Sequence, residues 1–198
     1  MQQSRLYSHF QEEEPILEQI LRQIRFFIVK PLVKKNSIVL DLGCGYDGEF
    51  LKKISSKIIE GVGYDLSVKK VKVAKNINLF SKKIDEKLTL PKNYFDLVIS
   101  LAVFEHLGKT QDVLNNSYKS LKRGGLLIIT TPSPKAKAIL ELLAFRLRLI
   151  SQREISDHKH YYNKNEITKM LVVAGFKKDK INISRFLLGF NTLVVVTK

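Results

Sequence analysis

Cysteine and tryptophan are nearly missing from this chain of 198 residues, which contains one cysteine and no tryptophan. A single cysteine cannot form an internal disulfide, and low cysteine usage fits a reducing compartment, so we expect a cytoplasmic protein. No run of about 18 apolar residues occurs, and no membrane-spanning helix is predicted. Residues 1–30 mix charged with apolar residues, so we expect no signal peptide there.

Acidic residues are also scarce: 19 stand against 34 basic ones, and the formal net charge is +15. Such a charge is typical of proteins that bind nucleic acid. Lysine outnumbers arginine 26 to 8, however, and the lysines are spread along the chain without interleaved aromatics. Two interpretations stay open. The charge is either a solvated surface that reflects genomic composition, or a sign of an anionic partner such as an acidic membrane face or a charged substrate.

The length suits a single domain over residues 1–198. Strand and helix patterns alternate, which predicts a doubly wound α/β fold with helices on both faces of a mostly parallel sheet. The predicted strands are residues 37–42, 59–64, 83–88, 95–100, 126–130, 180–186 and 192–197. The predicted helices are residues 12–29, 48–56, 67–75, 110–121 and 163–174. The last two strands are joined by a short turn and must be antiparallel.

A glycine-rich turn follows the first strand. Gly43, Gly45 and Gly48 have the spacing G-x-G-x-x-G, and Asp65 ends the next strand 20 residues after Gly45. This arrangement is typical of a nucleotide-cofactor site, in which the acid accepts hydrogen bonds from the ribose. Asp41 lies two residues before the turn, where a carboxylate would repel a pyrophosphate and attract the ammonium and sulfonium groups of S-adenosylmethionine. S-adenosylmethionine is therefore predicted, with a nicotinamide or flavin dinucleotide as the alternative.

Four further segments extend the pattern. They are Phe95–Ser100, Phe104–Leu107, Leu121–Ile129 and Ala174–Phe176. In this order, together with the glycine turn, they resemble the class I S-adenosylmethionine-dependent methyltransferases over residues 36–198. The resemblance implies a Rossmann-like seven-stranded sheet of order 3-2-1-4-5-7-6 with an antiparallel last strand. The glycine turn departs from the family pattern by one additional residue.

The resemblance and the spacing together predict the cofactor site. The glycine backbone approaches the methionyl end, Leu66 lies against the adenine, and the loop after strand three contacts the adenine amino group. Cys44 is interpreted as a small residue packed against tight backbone rather than as a nucleophile. The predicted cofactor-binding residues are Asp41, Gly43, Cys44, Gly45, Asp65, Leu66, Asp85, Ser100 and Leu101.

Three histidines are candidate general bases, because imidazole titrates near neutrality. They are His106, His158 and His160, and structural roles are the alternative for each. Glu105-His106 resembles a pair found in quinone O-methyltransferases and small-RNA 2′-O-methyltransferases, some of which use Glu-x-x-Glu-His in a metal site. Here the first position of that set is Ala102, so no metal is predicted. The segment after strand four also lacks the Asn/Asp-Pro-Pro-aromatic motif of amine methylation.

Residues 133–160 form an insertion between strand five and the last helix. Its apolar stretch, residues 138–150, is flanked by basic side chains, and strand five carries it to the ligand-binding edge of the sheet. We interpret it as a lid over the acceptor, and residues 1–35 as an N-terminal helical cap. The alternative is a helix packed on the core with solvated arginines.

The sequence thus predicts methyl transfer to a small-molecule, lipid-linked or saccharide acceptor, at oxygen in preference to carbon or nitrogen. Peripheral contact with an anionic membrane is one expected partner interaction. The alternatives are an RNA 2′-O-methyltransferase, a dinucleotide-binding oxidoreductase, and a cofactor-binding regulator without turnover. Nothing in the sequence determines the oligomeric state.

Overall fold

A seven-stranded sheet forms the centre of the computed structural model, which describes residues 15–69, 73–85 and 88–198. The strands are β1 Ser37–Leu42, β2 Ile58–Asp65, β3 Ile77–Ser81, β4 Phe95–Leu101, β5 Leu121–Pro132, β6 Ile181–Phe186 and β7 Asn191–Thr197. Their order is β3-β2-β1-β4-β5-β7-β6, and β7 runs antiparallel to both of its neighbours. The predicted fold class and strand order are confirmed.

Six helices connect and cover the strands within the described ranges. They are α1 Ile16–Val29, α2 Glu49–Ile54, α3 Thr110–Ser120, α4 Ala136–Glu141, α5 Gln152–Ser156 and α6 Lys164–Ala174. A π-helical turn, Leu142–Arg146, continues α4. None of the helices in these ranges has the length and apolar character to cross a bilayer.

Helix α6 shows how closely local sequence signals set a boundary. The Asn163 side chain accepts hydrogen bonds from the backbone of Asn165 and Glu166, and the Glu166 side chain accepts one from the backbone of Asn163. This capping box satisfies amide groups that would otherwise lack partners. At the other end Gly175 adopts a left-handed conformation with φ 112° and ends the helix.

Both faces of the sheet are covered by apolar side chains. On one face α3 and α6 pack on the sheet through residues such as Leu114 and Leu171. On the other face α1 and α2 pack through residues such as Phe26 and Phe50, whose rings lie 5.1 Å apart. A parallel sheet needs this double cover, and it explains the nearly continuous burial of β1 and β4.

Strand three was predicted at residues 83–88, and that prediction is wrong: β3 is Ile77–Ser81. It is an edge strand in which only Ile77 is buried, so the sequence carries little of the apolar alternation that marks a strand. The predicted helix over residues 67–75 includes residues 70–72, which lie outside the described residues. Residues 67–69 and 73–75 are not helical.

Two further boundaries differ from the prediction. Strand β5 begins at Leu121 instead of residue 126, because Leu121 already pairs with Phe95 before a register shift. The glycine pair 124–125 therefore lies inside the strand rather than before it. The beginning of the first predicted helix, residues 12–14, lies outside the described residues, and α1 begins directly after Pro15.

Candidate active site

The carboxyl ends of β1, β2 and β4 lie side by side at one edge of the sheet. Asp41 in β1 pairs with Gly63 in β2 and with Ile99 in β4. The glycine turn leaves β1 at this edge, and Asp65 is the last residue of β2. In an open α/β sheet the ligand crevice lies at this edge.

Gly43 shows why the turn requires glycine. Its φ is +87°, and a Cβ atom there would lie 2.1 Å from Cγ2 of Val103, which packs over the turn. A side chain would therefore be strained by the backbone angle and would also clash. The amide of Gly43 donates to the carbonyl oxygen of Tyr64 at 2.8 Å, so the turn is fixed to β2.

The Asp65 carboxylate ties the glycine turn to the end of β2. It accepts hydrogen bonds from the amide of Gly45 at 3.0 Å, from the amide of Ser67 at 2.8 Å and from the Ser67 hydroxyl at 2.6 Å. Leu66 follows with its side chain 57% exposed at the same edge. Both residues stand where the sequence places the ribose and the adenine, and those contacts stay predictions.

Asp41 is a buried carboxyl group, 2% exposed. Its Oδ1 atom has no hydrogen-bond partner among the described residues. Burial, and then the charge of nearby Asp65, raise the pKa of Asp41 to about 8. Burying an unpaired carboxylate is costly, and a cation bound beside it would offset that cost. The site is thus complementary to a positively charged ligand.

Cys44 lies in the glycine turn close to these acids. Burial, followed by the charges of Asp41 and Asp65, raises the pKa of its thiol. A protonated thiol is a poor nucleophile, which supports a packing role. Its Sγ would lie 2.7 Å from a Cβ atom at Gly63, so the thiol fills the space next to β2.

Three other predicted cofactor residues are near the same edge. Ser100 is fully buried, and its hydroxyl donates to the carbonyl oxygen of Leu42 at 3.1 Å, which links β4 to β1. Leu101 ends β4 and is partly buried. Asp85 lies in the loop after β3, with the Lys83 ammonium 3.5 Å away. Because β3 begins earlier than predicted, Asp85 occupies the loop to which the resemblance assigns the adenine contact.

A second cluster lies just beyond β4, where the chain makes the 3₁₀ turn Phe104–His106. Glu105, His106 and His158 each place one ligand atom within 4.8 Å of the others. Glu105 is 1% exposed, and the Thr131 hydroxyl donates to its Oε2 at 3.0 Å. Burial raises the pKa of Glu105. One carboxylate and two imidazoles could hold a divalent metal ion, so the absence of a metal stays a prediction.

The structure brings two of the three candidate histidines together. The rings of His106 and His158 lie 4.7 Å apart, edge to face. Nδ1 of His106 lies 3.2 Å from Oδ2 of Asp157, and Nδ1 of His158 lies 2.8 Å from the hydroxyl of Tyr161. Burial, followed by the charge of His106, lowers the pKa of His158 to about 4, so this ring is neutral at neutral pH.

His160 is not part of this cluster. Its Nε2 lies 3.4 Å from Oε2 of Glu166, the capping residue of α6, and its ring packs on Tyr162 with centroids 4.5 Å apart. His160 is also the most exposed of the three candidate histidines. These contacts are those expected of a structural side chain.

Helix α1 contributes two contacts that the sequence did not reveal. The charge of Arg25 acts against the burial that raises the pKa of Glu105, and it adds to the burial that lowers the pKa of His158. Oε1 of Glu18 accepts a hydrogen bond from the amide of Ser151 at 2.6 Å. Helix α1 therefore contacts residues 133–160 and lies near the histidine cluster. No local motif could have identified these residues, since their partners are about 80 or more positions away.

A family model for a methyltransferase domain, Methyltransf_23, matches residues 8–181 of the chain. The chain belongs to this methyltransferase family. The assignment decides between the two cofactors that the glycine turn left open, in favour of S-adenosylmethionine.

The methyltransferase is similar to several proteins that are named as methyltransferases. It is 34% identical over 116 residues to a ubiquinone biosynthesis O-methyltransferase of Pelagibacter ubique, covering 55% of this chain and 47% of that protein. It is 29% identical over 132 residues to the sterol 24-C-methyltransferase of Saccharomyces cerevisiae, covering 62% of this chain and 34% of that protein. The matched regions thus span less than half the length of these two relatives.

A solved structure shows the same fold. The S-adenosylmethionine-dependent methyltransferase from Mesorhizobium loti superimposes with a TM-score of 0.69 at 17% identity, covering 86% of this chain and 96% of that one.

The residues at the strand ends fit S-adenosylmethionine. Asp41 supplies a buried carboxyl oxygen without a partner in the described part of the chain, which suits a ligand that carries an ammonium and a sulfonium. The left-handed glycines at 43 and 45 leave backbone accessible to the methionyl end. These residues would hold the cofactor between β1 and β2, close to the Glu105–His106 turn, and that placement stays a prediction.

Proposed function

We propose that this methyltransferase transfers the methyl group of S-adenosylmethionine to a hydroxyl oxygen of a small-molecule or lipid-linked acceptor, a lipid-linked saccharide included. The observation that supports this most is the pairing of His106 with Asp157, 3.2 Å apart. Val103, three residues before His106, packs on the glycine turn, so the imidazole lies close to the cofactor edge.

The chain's own groups would hold and deprotonate the acceptor. When bound, S-adenosylmethionine supplies a methyl group that is already activated by the positive sulfur. Asp157 would orient the His106 ring so that Nε2 faces the acceptor hydroxyl and receives its proton during a transfer that would break the bond between sulfur and methyl and leave S-adenosylhomocysteine. Neutral His158 and the buried Glu105 complete the wall of the site, and together they exclude water from the reacting atoms.

Most of the curated relatives support oxygen as the methylated atom, since seven of eight are ubiquinone biosynthesis O-methyltransferases. The relative from Pelagibacter ubique is an O-methyltransferase, whereas the yeast relative methylates carbon. A base is needed to remove the proton of a hydroxyl, and the His106–Asp157 pair provides one. The apolar residues of the 133–160 segment favour an acceptor with a hydrocarbon part, and we propose that this segment is the acceptor lid. A cytoplasmic location also stays a prediction.

RNA 2′-O-methylation is a second candidate, favoured by the net charge of +15. It predicts binding to RNA that weakens steeply with salt, because each phosphate contact releases counterions. The exposed basic side chains permit such contacts, and Tyr46 and Phe145, each about half exposed, could stack on bases. The other exposed apolar side chains of residues 142–149 are leucines, which favour an acceptor with a hydrocarbon part.

The test uses labelled S-adenosylmethionine and a total cell extract, which is then separated into lipid, RNA, protein and soluble fractions. We expect label in the lipid or soluble fraction with the wild-type chain, a large loss with His106→Gln, and normal labelling with the matched control His160→Gln. Label confined to RNA would overturn the acceptor class. Unchanged labelling by His106→Gln would overturn its role as base.

A further inference from the structure

We propose that this methyltransferase seats on an anionic phospholipid bilayer through one defined surface, formed by residues 142–149 and the β6–β7 turn Leu187–Gly189. We call it the acceptor-end surface. The inference deepens the proposed function, because it rests on an acceptor that is presented at a lipid surface. It names the residues that would contact the bilayer.

Exposed apolar side chains define this surface. Leu142, Phe145, Leu147 and Leu149 are each about half exposed, between 45% and 52%, and Leu188 is 96% exposed. The segment is nevertheless ordered, because Ala144 and Ile150 are buried on its inner side. The amide of Leu149 also donates to the carbonyl oxygen of Leu143 at 2.9 Å. The apolar side chains are therefore held outward by a fixed backbone.

The β6–β7 turn has an unusual residue choice. Leu187 and Leu188 have φ values of 50° and 56°, in the left-handed region that favours glycine or asparagine. An exposed turn of this shape has no structural need for two leucines. The turn is fixed to the end of β5, since the Ser133 hydroxyl donates to the Gly189 carbonyl and the Ser133 amide to the Phe190 carbonyl, both at 2.8 Å.

Sheet register brings the β6–β7 turn to the edge from which the 133–160 segment leaves the sheet. Pro132, the last residue of β5, pairs with Asn191, and Asn191 pairs with Phe186. The β6–β7 turn and the start of the 133–160 segment therefore leave the sheet together. Because β5 is parallel to β4, this edge is also the one that carries the cofactor turn and the histidine cluster. A bilayer at this surface would lie next to the active site.

The charge pattern of the surface matches phospholipid headgroups. The acceptor-end surface and the residues next to it, 142–153 and 181–190, contain four of the eight arginines of the chain and no lysine. In the whole chain 26 of the 34 basic residues are lysine. The four are exposed: Arg146, Arg148, Arg153 and Arg185. Neither segment contains an acidic residue, and Glu141 and Glu154 lie just outside. A compositional bias would have supplied lysines, so arginine is used here for its paired hydrogen bonds to phosphate.

The apolar residues distinguish a bilayer from a nucleic acid. Residues 145–149 alternate Phe-Arg-Leu-Arg-Leu, and all five are exposed. Phe145 is the one aromatic side chain of the acceptor-end surface, and its leucines cannot stack on successive bases as single-strand binding requires. All of these apolar side chains can enter the boundary between headgroups and acyl chains while the arginines stay at the phosphates.

Vesicle co-sedimentation of the full chain tests the proposal, with phosphatidylcholine vesicles compared with mixed phosphatidylcholine–phosphatidylserine vesicles. We expect binding only to the mixed vesicles, weakened by salt. Leu188→Ser and Leu147→Ser should each weaken it about tenfold, the loss expected for one inserted leucine. The control is Val173→Ser, since Val173 is 71% exposed near the end of α6, at the opposite edge of the sheet. It should bind as the wild type does.

Several outcomes would overturn the proposal. The first is binding that is equal for the two vesicle types, or absent for both. The second is wild-type vesicle binding by both leucine variants. The last two are a dimer in solution that Leu188→Ser dissociates, and displacement of the chain from vesicles by RNA that carries the same total charge as the lipid. Calorimetry with S-adenosylhomocysteine on the same proteins separates the two proposals. In the wild-type chain, absent cofactor binding would overturn the proposed function, whereas absent vesicle binding with intact cofactor binding would overturn the surface alone. Intact cofactor binding by the two leucine variants shows that they are folded, so their weaker vesicle binding then supports the surface.

Discussion

The carboxylate of Asp157 lies 3.2 Å from Nδ1 of His106, a residue 51 positions earlier in the chain. Asp157 belongs to the 133–160 segment, while His106 ends the turn after β4. The Asp157 side chain is 67% exposed, so this side-chain contact itself adds little stability. What it fixes is the direction of the imidazole ring and the position of the segment that carries the acid.

The first prediction concerns Asp157→Asn. Loss of the carboxylate leaves His106 without its orienting acceptor, so kcat for methyl transfer should fall by roughly tenfold to a hundredfold. KM and the affinity for S-adenosylhomocysteine should stay near wild type, because neither ligand binds through Asp157. Initial rates of methyl transfer to the extract fraction that accepts the label measure kcat and KM. The matched control is Asp179→Asn, because Asp179 is an exposed acid before β6. An equal fall of kcat in this control would contradict the prediction.

The second prediction is that cofactor binding releases a proton. The pKa of Asp41 is raised to about 8 in the free protein, so the group is mostly protonated at pH 7. A bound cation favours the carboxylate, and the proton must leave. The affinity for S-adenosylmethionine should therefore rise with pH and level off above about pH 8. Calorimetry at pH 7 in buffers with different ionisation enthalpies measures the released proton. If Asp41→Asn still releases a proton when the cofactor binds, the proton comes from another group.

The third prediction follows from the same shift and concerns stability. Asp41 binds a proton in the folded chain between its ordinary pKa of 3.8 and about 8, whereas the unfolded chain has lost that proton. Since the folded state then binds more protons, the free energy of unfolding falls as pH rises through this window. Asp41→Asn should lack this fall and exceed the wild type by on the order of a few kcal/mol at pH 8.

Urea unfolding at several pH values measures that difference, with Asp112→Asn on α3 as a control that keeps the wild-type slope. Parallel pH profiles for wild type and Asp41→Asn would show that the group is already charged in the folded chain. The same variant should bind S-adenosylmethionine at least about tenfold more weakly, because a buried carboxylate that pairs with the ligand is lost. Higher stability with weaker binding is the combination expected of a site residue.

Local sequence signals predicted most of the fold. Strand β1 was predicted with its observed limits because its residues are almost all buried, and α6 because Asn163 and Gly175 supply the caps. Strand β3 could not be placed, since at the sheet edge only one of its residues faces the core. What the sequence predicts poorly is an element whose contacts are few and whose apolar pattern is accordingly weak.

The candidate site likewise contains residues that the sequence indicates and residues that it does not. Asp41 and Asp65 could be singled out from the sequence because their predicted roles depend on spacing along two adjacent strands. The pairing of His106 with His158 depends on how residues 133–160 return to the sheet, which no periodicity encodes. Thr131 and Arg25 carry no motif at all, and they join the cluster only through the packing of β5 and α1.

The fourth prediction is that Leu188→Gly stabilises the chain. Leu188 has φ 56° and ψ 22°, a conformation that costs leucine about 1–2 kcal/mol and glycine almost nothing. Because the side chain is 96% exposed, its removal sacrifices little burial. After the entropy that glycine adds to the unfolded chain, the gain in free energy of unfolding should be about 0.5–1 kcal/mol, or a few degrees in Tm.

Val173→Gly is the matched control, since Val173 is also exposed but lies in α6, where glycine is unfavourable. It should destabilise the chain, so the two substitutions should have opposite signs in urea unfolding. An unchanged or lower stability for Leu188→Gly would mean that the leucine backbone is not strained. A gain in stability together with a loss of vesicle binding would be informative in another way. It would mean that a destabilising leucine is kept at this turn because the membrane contact needs its side chain.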